Sequence, residues 1–289
     1  MKAINVSIAV LVGVCAIPLI AGDPVHDTRY LALGDSIPFG FNPLVAVNLD
    51  NYHGYPEFVS NGLHQKLANA SCFGETSGSF ISATAPDFGC DAWKAAGRPL
   101  FVQYSGTQMD FAVKYLRGNP NARFVTINIG GNDLALLQVG CNFDMTCELA
   151  GLPGVLGAYG NNLLTIFTRL RGDAHYTGPI VLLTYYAFNY QDPVQVGAFS
   201  ALNGIASGIA SGFGAKIADG FQAFFVATIP FNGDSCAAGL LIKLPNGTCD
   251  THPSQAGQKL LAATVLNVAP KNDDDQGDNG DGKDKGHEY

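Results

Sequence analysis

The chain has 289 residues, of which 47% are hydrophobic and 14% charged, so it can bury a sizeable core. Its net charge of −8 argues against binding to nucleic acid or to an anionic membrane surface. Half of that charge lies in residues 271–289, which hold seven acids and three lysines. The body of the chain is therefore only mildly acidic.

Residues 1–22 have the pattern of an export signal. Lys2 precedes an apolar run over residues 4–20, and small residues follow. A retained membrane anchor is the alternative, because the run approaches spanning length. Pro18 and the small residues favour cleavage, so we expect a secreted chain, extracellular or periplasmic, without an integral membrane span.

The remaining residues divide into one domain and a tail. No linker interrupts residues 23–270, which fits a single domain better than two. Residues 272–285 have no apolar side chain to bury, so residues 271–289 are predicted to form a disordered acidic tail.

Strands and helices alternate along residues 23–270. This alternation predicts an α/β fold in which three layers, α/β/α, surround a mainly parallel sheet. The predicted elements in chain order are a strand Tyr30–Leu33, a helix from Tyr55 to near Ala68, a short strand ending at Cys72–Gly74, an irregular loop Ser77–Arg98, a helix from the N-cap Thr107 to Gly118, a strand Phe124–Ile129, a helix Val155–Leu170, a strand Pro179–Tyr186, a helical stretch Pro193–Ala218, a last strand Phe221–Thr228, a loop Pro230–Cys249 and a helix Gln255–Leu266.

Ser36 follows the first strand after Gly34 and Asp35. Ligands of α/β sheets bind at the carboxyl ends of the strands. A serine at a sharp turn from strand to helix exposes its Oγ, and its backbone N–H can face a developing oxyanion. Ser36 is therefore the candidate nucleophile, although Gly-Asp-Ser before a proline is also an ordinary turn.

Two further blocks offer hydrogen-bond donors. The strand ending at Ile129 is followed by two glycines and then by the side-chain amide of Asn132. Gly74 follows a short predicted strand, and a glycine lets the backbone approach a ligand closely with its N–H available. A plain turn glycine is the alternative for Gly74.

His252 is the only histidine in a loop between the last predicted strand and the last helix. This topology brings it to the same sheet edge as Ser36, where it can act as a base. Asp250 is near enough in sequence to accept a hydrogen bond from the imidazole and hold its tautomer. Capping or packing before Pro253 is the alternative role for His252.

These four blocks stand in the order of the SGNH, or GDSL-type, hydrolase family, which the chain resembles from about Tyr30 to about Val268. The resemblance implies a flavodoxin-like three-layer fold. It also implies that Ser36 attacks an acyl carbon with His252 as general base, and that the oxyanion is held by the backbone N–H groups of Ser36 and Gly74 and by the amide of Asn132.

The acid departs from the family's commonest pattern, which has an aspartate three residues before the histidine. Cys249 occupies that position, and Asp250 lies two residues before His252. Some relatives orient the histidine with a main-chain carbonyl instead. The group that orients His252 is therefore either the Asp250 carboxylate or a main-chain carbonyl.

Cleavage of the expected export signal removes Cys15 and leaves six cysteines. An even number of cysteines in an exported chain suggests three disulfides. Six cysteines allow fifteen pairings, among which we expect sequential pairs. Metal binding is not expected, because there is no CxxC pair and histidine is sparse; nor does any nucleotide or flavin motif predict a cofactor. The six are Cys72, Cys90, Cys141, Cys147, Cys236 and Cys249.

Asp35, Asp133 and Glu75 adjoin the candidate site residues in sequence. We interpret all three as turn residues that accept hydrogen bonds from nearby backbone N–H groups, not as further catalytic acids.

The predicted function is that of a secreted, monomeric carboxylic ester hydrolase acting on lipid, small or carbohydrate esters. A catalytically idle carbohydrate- or lipid-binding module on the same fold is the alternative, and a peptidase with the same machinery comes third. Aromatic side chains near the site favour an acyl pocket, although core packing is their usual role. They are Phe39, Phe41, Phe73, Tyr185, Tyr186 and Phe188.

Overall fold

The computed structural model describes residues 29–270. The expected signal peptide, residues 1–22, and the expected acidic tail, residues 271–289, lie outside the described residues.

A parallel five-stranded sheet forms the centre of the fold. Its strands are β1 (Tyr30–Gly34), β2 (Leu67–Asn69), β3 (Phe124–Asn128), β4 (Ile180–Leu183) and β5 (Lys216–Ala218). They lie in the order β2-β1-β3-β4-β5, and every neighbouring pair is parallel. A separate antiparallel hairpin consists of β6 (Leu241–Lys243) and β7 (Cys249–Pro253).

Helices cover the sheet, which confirms the predicted α/β/α fold. They are α1 (Ser36–Phe39), α2 (Tyr55–Leu63), α3 (Cys90–Ala95), α4 (Gln108–Gly118), α5 (Gly131–Gly140), α6 (Met145–Thr168), α7 (Pro193–Gly212), α8 (Gly220–Thr228) and α9 (Gln255–Leu266). Helices α2, α8 and α9 pack side by side in one layer, and α5, α6 and α7 pack side by side in another. All residues of β1 and β3 are buried, as expected for a sheet covered on both faces.

The predicted last strand, Phe221–Thr228, is wrong, because this stretch forms α8. The Asp219 side chain accepts the Gln222 N–H and so caps the start of a helix. The last strand of the parallel sheet is β5, which was predicted as the end of the preceding helix. Gly214 separates α7 from β5 with a positive φ of 72°, a conformation that commonly ends helices.

Three other predicted boundaries shift. Helix α6 begins ten residues before the predicted Val155, because Asp144 caps it by accepting the Cys147 N–H at 2.8 Å. Leu67, predicted as the end of a helix, begins β2, so residues 72–74 form a turn beyond the strand. The predicted loop Ser77–Arg98 contains the short helix α3.

The carboxyl ends of β1 and β3 meet at Gly34. The chain leaves β1 toward β2 and returns to β3 on the other side of β1, which places the topological switch point between β1 and β3. Gly34 has a φ of +137°, and a Cβ there would lie 1.9 Å from the Asn128 carbonyl oxygen. A glycine is therefore required where the chain turns into α1.

Within residues 29–270, no helix combines the length and the apolar character needed to cross a membrane.

Candidate active site

Ser36 is the first residue of the one-turn helix α1, directly after β1. The Asp35 carboxylate caps this helix by accepting the Ile37 N–H at 2.9 Å. The first N–H groups of a helix have no acceptor within the helix. The Ser36 backbone N–H is thus suited to donate to a ligand at the sheet edge.

His252 lies beside Ser36, with 2.9 Å between His252 Nε2 and Ser36 Oγ. It lies on strand β7 and not in the predicted loop, because residues 241–253 fold back as a hairpin. The other imidazole nitrogen, Nδ1, is hydrogen-bonded to the Asp250 carboxylate, which also accepts the His252 backbone N–H at 2.9 Å. The structure therefore brings together the three residues of the predicted triad.

Packing fixes the hairpin that carries His252. The Tyr186 hydroxyl donates to the Thr251 carbonyl at 2.9 Å, and the Cys236–Cys249 disulfide ties the first residue of β7 to the preceding loop. The Phe41 ring lies edge-on to the imidazole, with 5.0 Å between ring centroids. Sequence reasoning did not assign these roles to Tyr186 and Phe41.

The two aspartates of the site have opposite pKa shifts. Partial burial disfavours the charge on Asp250, but the hydrogen bonds from His252 outweigh it and lower the pKa of Asp250 below its usual value. Complete burial raises the pKa of Asp35 to about 7, although the Tyr185 hydroxyl and the Ile37 N–H both donate to its carboxylate. Of the two, only Asp250 contacts the imidazole.

Asn132 and Gly74 follow β3 and β2, the two strands that flank β1 in the sheet. Asn132 lines the same cavity as Ser36 and His252, and its amide donates to the Glu75 carbonyl at 2.8 Å. Gly74 is not itself a lining residue, but Phe73 is. Among the hydrogen bonds of the described residues, none uses the Gly74 N–H. Gly74 has a φ of 76°, and a Cβ there would meet the backbone of Phe88 at 2.6 Å.

Asp133 and Glu75 differ from the turn residues that we expected. Asp133 accepts the Ser77 N–H at 2.9 Å, so it connects the Asn132 loop to a loop 56 residues away in sequence. Glu75 accepts from the Gln108 amide and the Ser79 hydroxyl, and burial raises its pKa to about 7. Both acids hold the loops of the site together through side chains.

An apolar cavity of about 400 Å³ opens beside Ser36 and His252. Of the six aromatic residues considered for an acyl pocket, Phe73, Tyr185, Tyr186 and Phe188 line it. Helices α5, α6 and α7 supply the other walls, with apolar residues that sequence analysis did not single out. They include Leu134, Leu137, Met145, Leu149, Val194 and Phe199.

The six expected cysteines form three disulfides in sequential order, as predicted. They are Cys72–Cys90, Cys141–Cys147 and Cys236–Cys249.

Comparison with known proteins gives the class of this fold and site. The sequence model of the GDSL-like Lipase/Acylhydrolase family matches residues 32–260, so the chain belongs to this family, and its class is that of the ester hydrolases. The comparison with curated proteins finds no match.

Solved structures with the same fold include several esterases and lipases. Phospholipase A1 from Streptomyces albidoflavus NA297 is 20% identical with a TM-score of 0.56, and the match covers 84% of this chain and 100% of that one. A lipase from a goat rumen metagenome is 15% identical, with a TM-score of 0.52 and coverages of 83% and 97%. An acetylxylan esterase from Geobacillus stearothermophilus is 19% identical, with a TM-score of 0.51 and coverages of 83% and 93%. At these identities the likeness concerns the fold.

Proposed function

We propose that the protein is a serine carboxylic ester hydrolase in which Ser36 is the nucleophile and His252 the general base. The observation that carries the proposal is the 2.9 Å separation of Ser36 Oγ and His252 Nε2, with Asp250 on the other imidazole nitrogen. Each group is within reach of the proton that it would move.

In the first half of the reaction, Ser36 Oγ attacks the ester carbonyl carbon while His252 Nε2 takes the hydroxyl proton. Asp250 stays ionised, holds the Nδ1–H tautomer and stabilises the imidazolium. His252 then protonates the leaving alcohol, and an acyl-serine remains.

In the second half, His252 takes a proton from water as the water oxygen attacks the acyl-serine carbonyl carbon. The bond from that carbon to Ser36 Oγ then breaks, His252 returns the proton to Ser36 Oγ, and the carboxylic acid leaves. The negative oxygen of both tetrahedral intermediates would accept from the Ser36 N–H, the Gly74 N–H and the Asn132 amide. The hydrogen bond from Asn132 to the Glu75 carbonyl supports this role, because it fixes the amide beside Gly74 before substrate binds.

The cavity supports a substrate with an apolar acyl group. Its walls are mostly aliphatic and aromatic, and it begins at Ser36, so the acyl chain would lie there while the alcohol part leaves toward solvent. The structural neighbours include a phospholipase A1 and an acetylxylan esterase. An apolar wall beside the nucleophile favours the lipid ester for this chain.

Export is part of the proposal, because three disulfides are typical of proteins that fold in an oxidising compartment. We expect the intact mass of the protein from culture medium or periplasm to lack residues 1–22. A mass that still includes them would contradict cleavage of a signal peptide.

The test is the initial rate of p-nitrophenyl ester hydrolysis over short to long acyl chains. Wild type should be active, and Ser36→Ala should lose about 10⁴-fold or more, as when the nucleophile of a serine hydrolase is removed. Ser200→Ala, at an exposed serine on α7, serves as the matched control and should keep the wild-type rate. Equal inertness of wild type and Ser36→Ala on every ester would contradict the proposal in favour of a binding module.

A further inference from the structure

The turn that joins α5 to α6 presents large apolar side chains to solvent. We call residues 138–149 the α5–α6 tip. Four of its apolar residues are exposed: Phe143 by 72%, Met145 by 57%, Leu149 by 51% and Val139 by 48%. Large apolar side chains concentrated at one exposed site commonly mark a contact surface.

This exposed surface continues into the cavity. Met145 and Leu149 are exposed at the tip and also line the cavity that contains Ser36. Phe88, exposed by 40%, lines the cavity from a different loop. An acyl chain moving from the tip to Ser36 would therefore stay in contact with apolar side chains.

The tip is held in a fixed and unfavourable backbone conformation. The Cys141–Cys147 disulfide closes it, and the Phe143 N–H donates to the Gln138 carbonyl at 2.9 Å. Asn142 and Phe143 both have positive φ, 49° and 61°, which is rare for a bulky residue such as phenylalanine. Such strained residues concentrate at functional sites, and here the strain projects a phenylalanine into solvent.

The charge of the region selects one kind of lipid surface. The sequence has no lysine or arginine between Arg123 and Arg169, and the tip itself carries Asp144 and Glu148. Binding to anionic lipid relies on basic residues near the surface. The tip thus fits a surface whose headgroups have no net negative charge.

We propose that the α5–α6 tip inserts into the surface of a neutral or zwitterionic lipid aggregate and admits the acyl chain of an ester lipid to the cavity. This inference rests on the proposed function, since it takes the cavity beside Ser36 as the acyl site. Phe143 and Val139 anchor the tip, and Met145 and Leu149 connect the aggregate to the cavity.

Helix α8 offers a built-in control. Phe225 and Val226 are exposed there by 42% and 52%, which makes them a match in residue type for Phe143 and Val139. No residue of α8 lines the cavity. Replacing the same two residue types at the tip and on α8 therefore shows whether vesicle binding depends on the tip itself or only on the amount of exposed apolar surface.

The experiment measures co-flotation of the full chain with phosphatidylcholine vesicles, in a Ser36→Ala background so that no lipid is consumed. We expect Val139→Ser/Phe143→Ser to weaken partitioning by roughly tenfold or more, because two apolar side chains no longer leave water on insertion. Phe225→Ser/Val226→Ser should change it by less than about twofold, since surface changes remote from the contact have small effects. Vesicles that also contain phosphatidylglycerol should bind less strongly.

Activity measurements with Ser36 intact separate this proposal from the proposed function. The tip variant should hydrolyse a soluble short-chain p-nitrophenyl ester at the wild-type rate and lose activity only on lipid in vesicles. Phe143→Gly guards against misfolding: glycine relieves the positive φ, so thermal stability should stay equal or rise while vesicle binding falls.

Three results would overturn the inference: no vesicle binding by the parent chain, equal losses for the tip and α8 variants, or stronger binding to anionic vesicles. A fourth is a parent chain that is a dimer by light scattering and a tip variant that is a monomer but binds vesicles as the parent does. The tip would then contact a second copy of the chain and not lipid. Since flotation needs no turnover, a failed Ser36 mechanism would leave these results interpretable.

Discussion

Asp35 precedes Ser36 in the chain and Asp250 is hydrogen-bonded to His252, and the two aspartates have opposite environments. Asp35 is fully buried at the end of β1 beside Tyr185, and burial raises its pKa to about 7. Asp250 lies on the partly exposed β6–β7 hairpin, and its hydrogen bonds with His252 lower its pKa. Asp35 is next to Ser36 in the sequence, but the carboxylate suited to pair with the histidine is the one whose environment keeps it ionised beside the imidazole.

The largest expected difference between the two aspartates is catalytic. Asp250→Asn should lower kcat by about 10³–10⁴, because the amide no longer holds the Nδ1–H tautomer of His252. Steady-state kinetics on a p-nitrophenyl ester measure this. A loss below about tenfold would mean that a main-chain carbonyl orients the histidine and that Asp250 is not part of the mechanism.

Asn132 is hydrogen-bonded to neither aspartate, and its substitution tests the proposed oxyanion site in the cavity that it shares with Ser36. Asn132→Ala should lower kcat by about 10²–10³ with a smaller change in KM, because the lost donor acts on charge that develops during the reaction. Asn161→Ala, at an exposed position of α6, is the matched control. Equal kcat for both variants would remove Asn132 from the oxyanion site.

Asp35→Asn should have a much smaller effect on activity, less than about tenfold, because Asp35 acts through the shape of the turn. Asparagine keeps an oxygen for the Ile37 N–H and an amide that can donate to the Tyr185 hydroxyl. The measurement is kcat/KM of Asp35→Asn, compared with that of Asp250→Asn at the same pH. A loss as large as that of Asp250→Asn would reverse the assignment of the two acids.

The smallest effect concerns stability. Burial raises the pKa values of Asp35, Glu57 and Glu75 to about 7 from ordinary values of 3.8 and 4.5. Between the ordinary pKa values and about pH 7, the native state keeps protons that the unfolded state releases. The free energy of unfolding therefore falls as pH rises through this range. The lowered pKa of Asp250 acts below this window, where its contribution is lost as pH falls.

Thermal unfolding followed by circular dichroism from pH 5 to pH 8 checks this prediction. Wild type should unfold at a lower temperature at the higher pH. Glu57→Gln removes one of the three buried acids without changing a residue that lines the cavity, and it should flatten the dependence. A melting temperature that rises with pH, in parallel for wild type and Glu57→Gln, would show that the buried acids ionise normally.

Local patterns in the sequence were enough for the fold class and for the proximity of Ser36 and His252. The strand before Ser36 and the helix after His252 have the boundaries of β1 and α9 within one residue. Glycine turns and an N-cap such as Thr107 are short-range signals, and parallel strands bring their carboxyl ends together whatever lies between them.

Features that depend on distant contacts could not be predicted in the same way. The apolar residues of α8 suit a buried strand as well as a helix, and only the Asp219 cap separates the two. The bond from Asp133 to Ser77 joins loops far apart in sequence. The cavity walls from α6 and α7 follow from packing, because each helix alone shows only an apolar face.

The central claim is that His252 activates Ser36 as a nucleophile, and reaction with a fluorophosphonate tests it most directly. Peptide mapping of the labelled full chain should place the adduct on Ser36, with labelling lost in Ser36→Ala and strongly slowed in His252→Ala. An adduct on another serine, or an equal labelling rate in His252→Ala, would contradict the account.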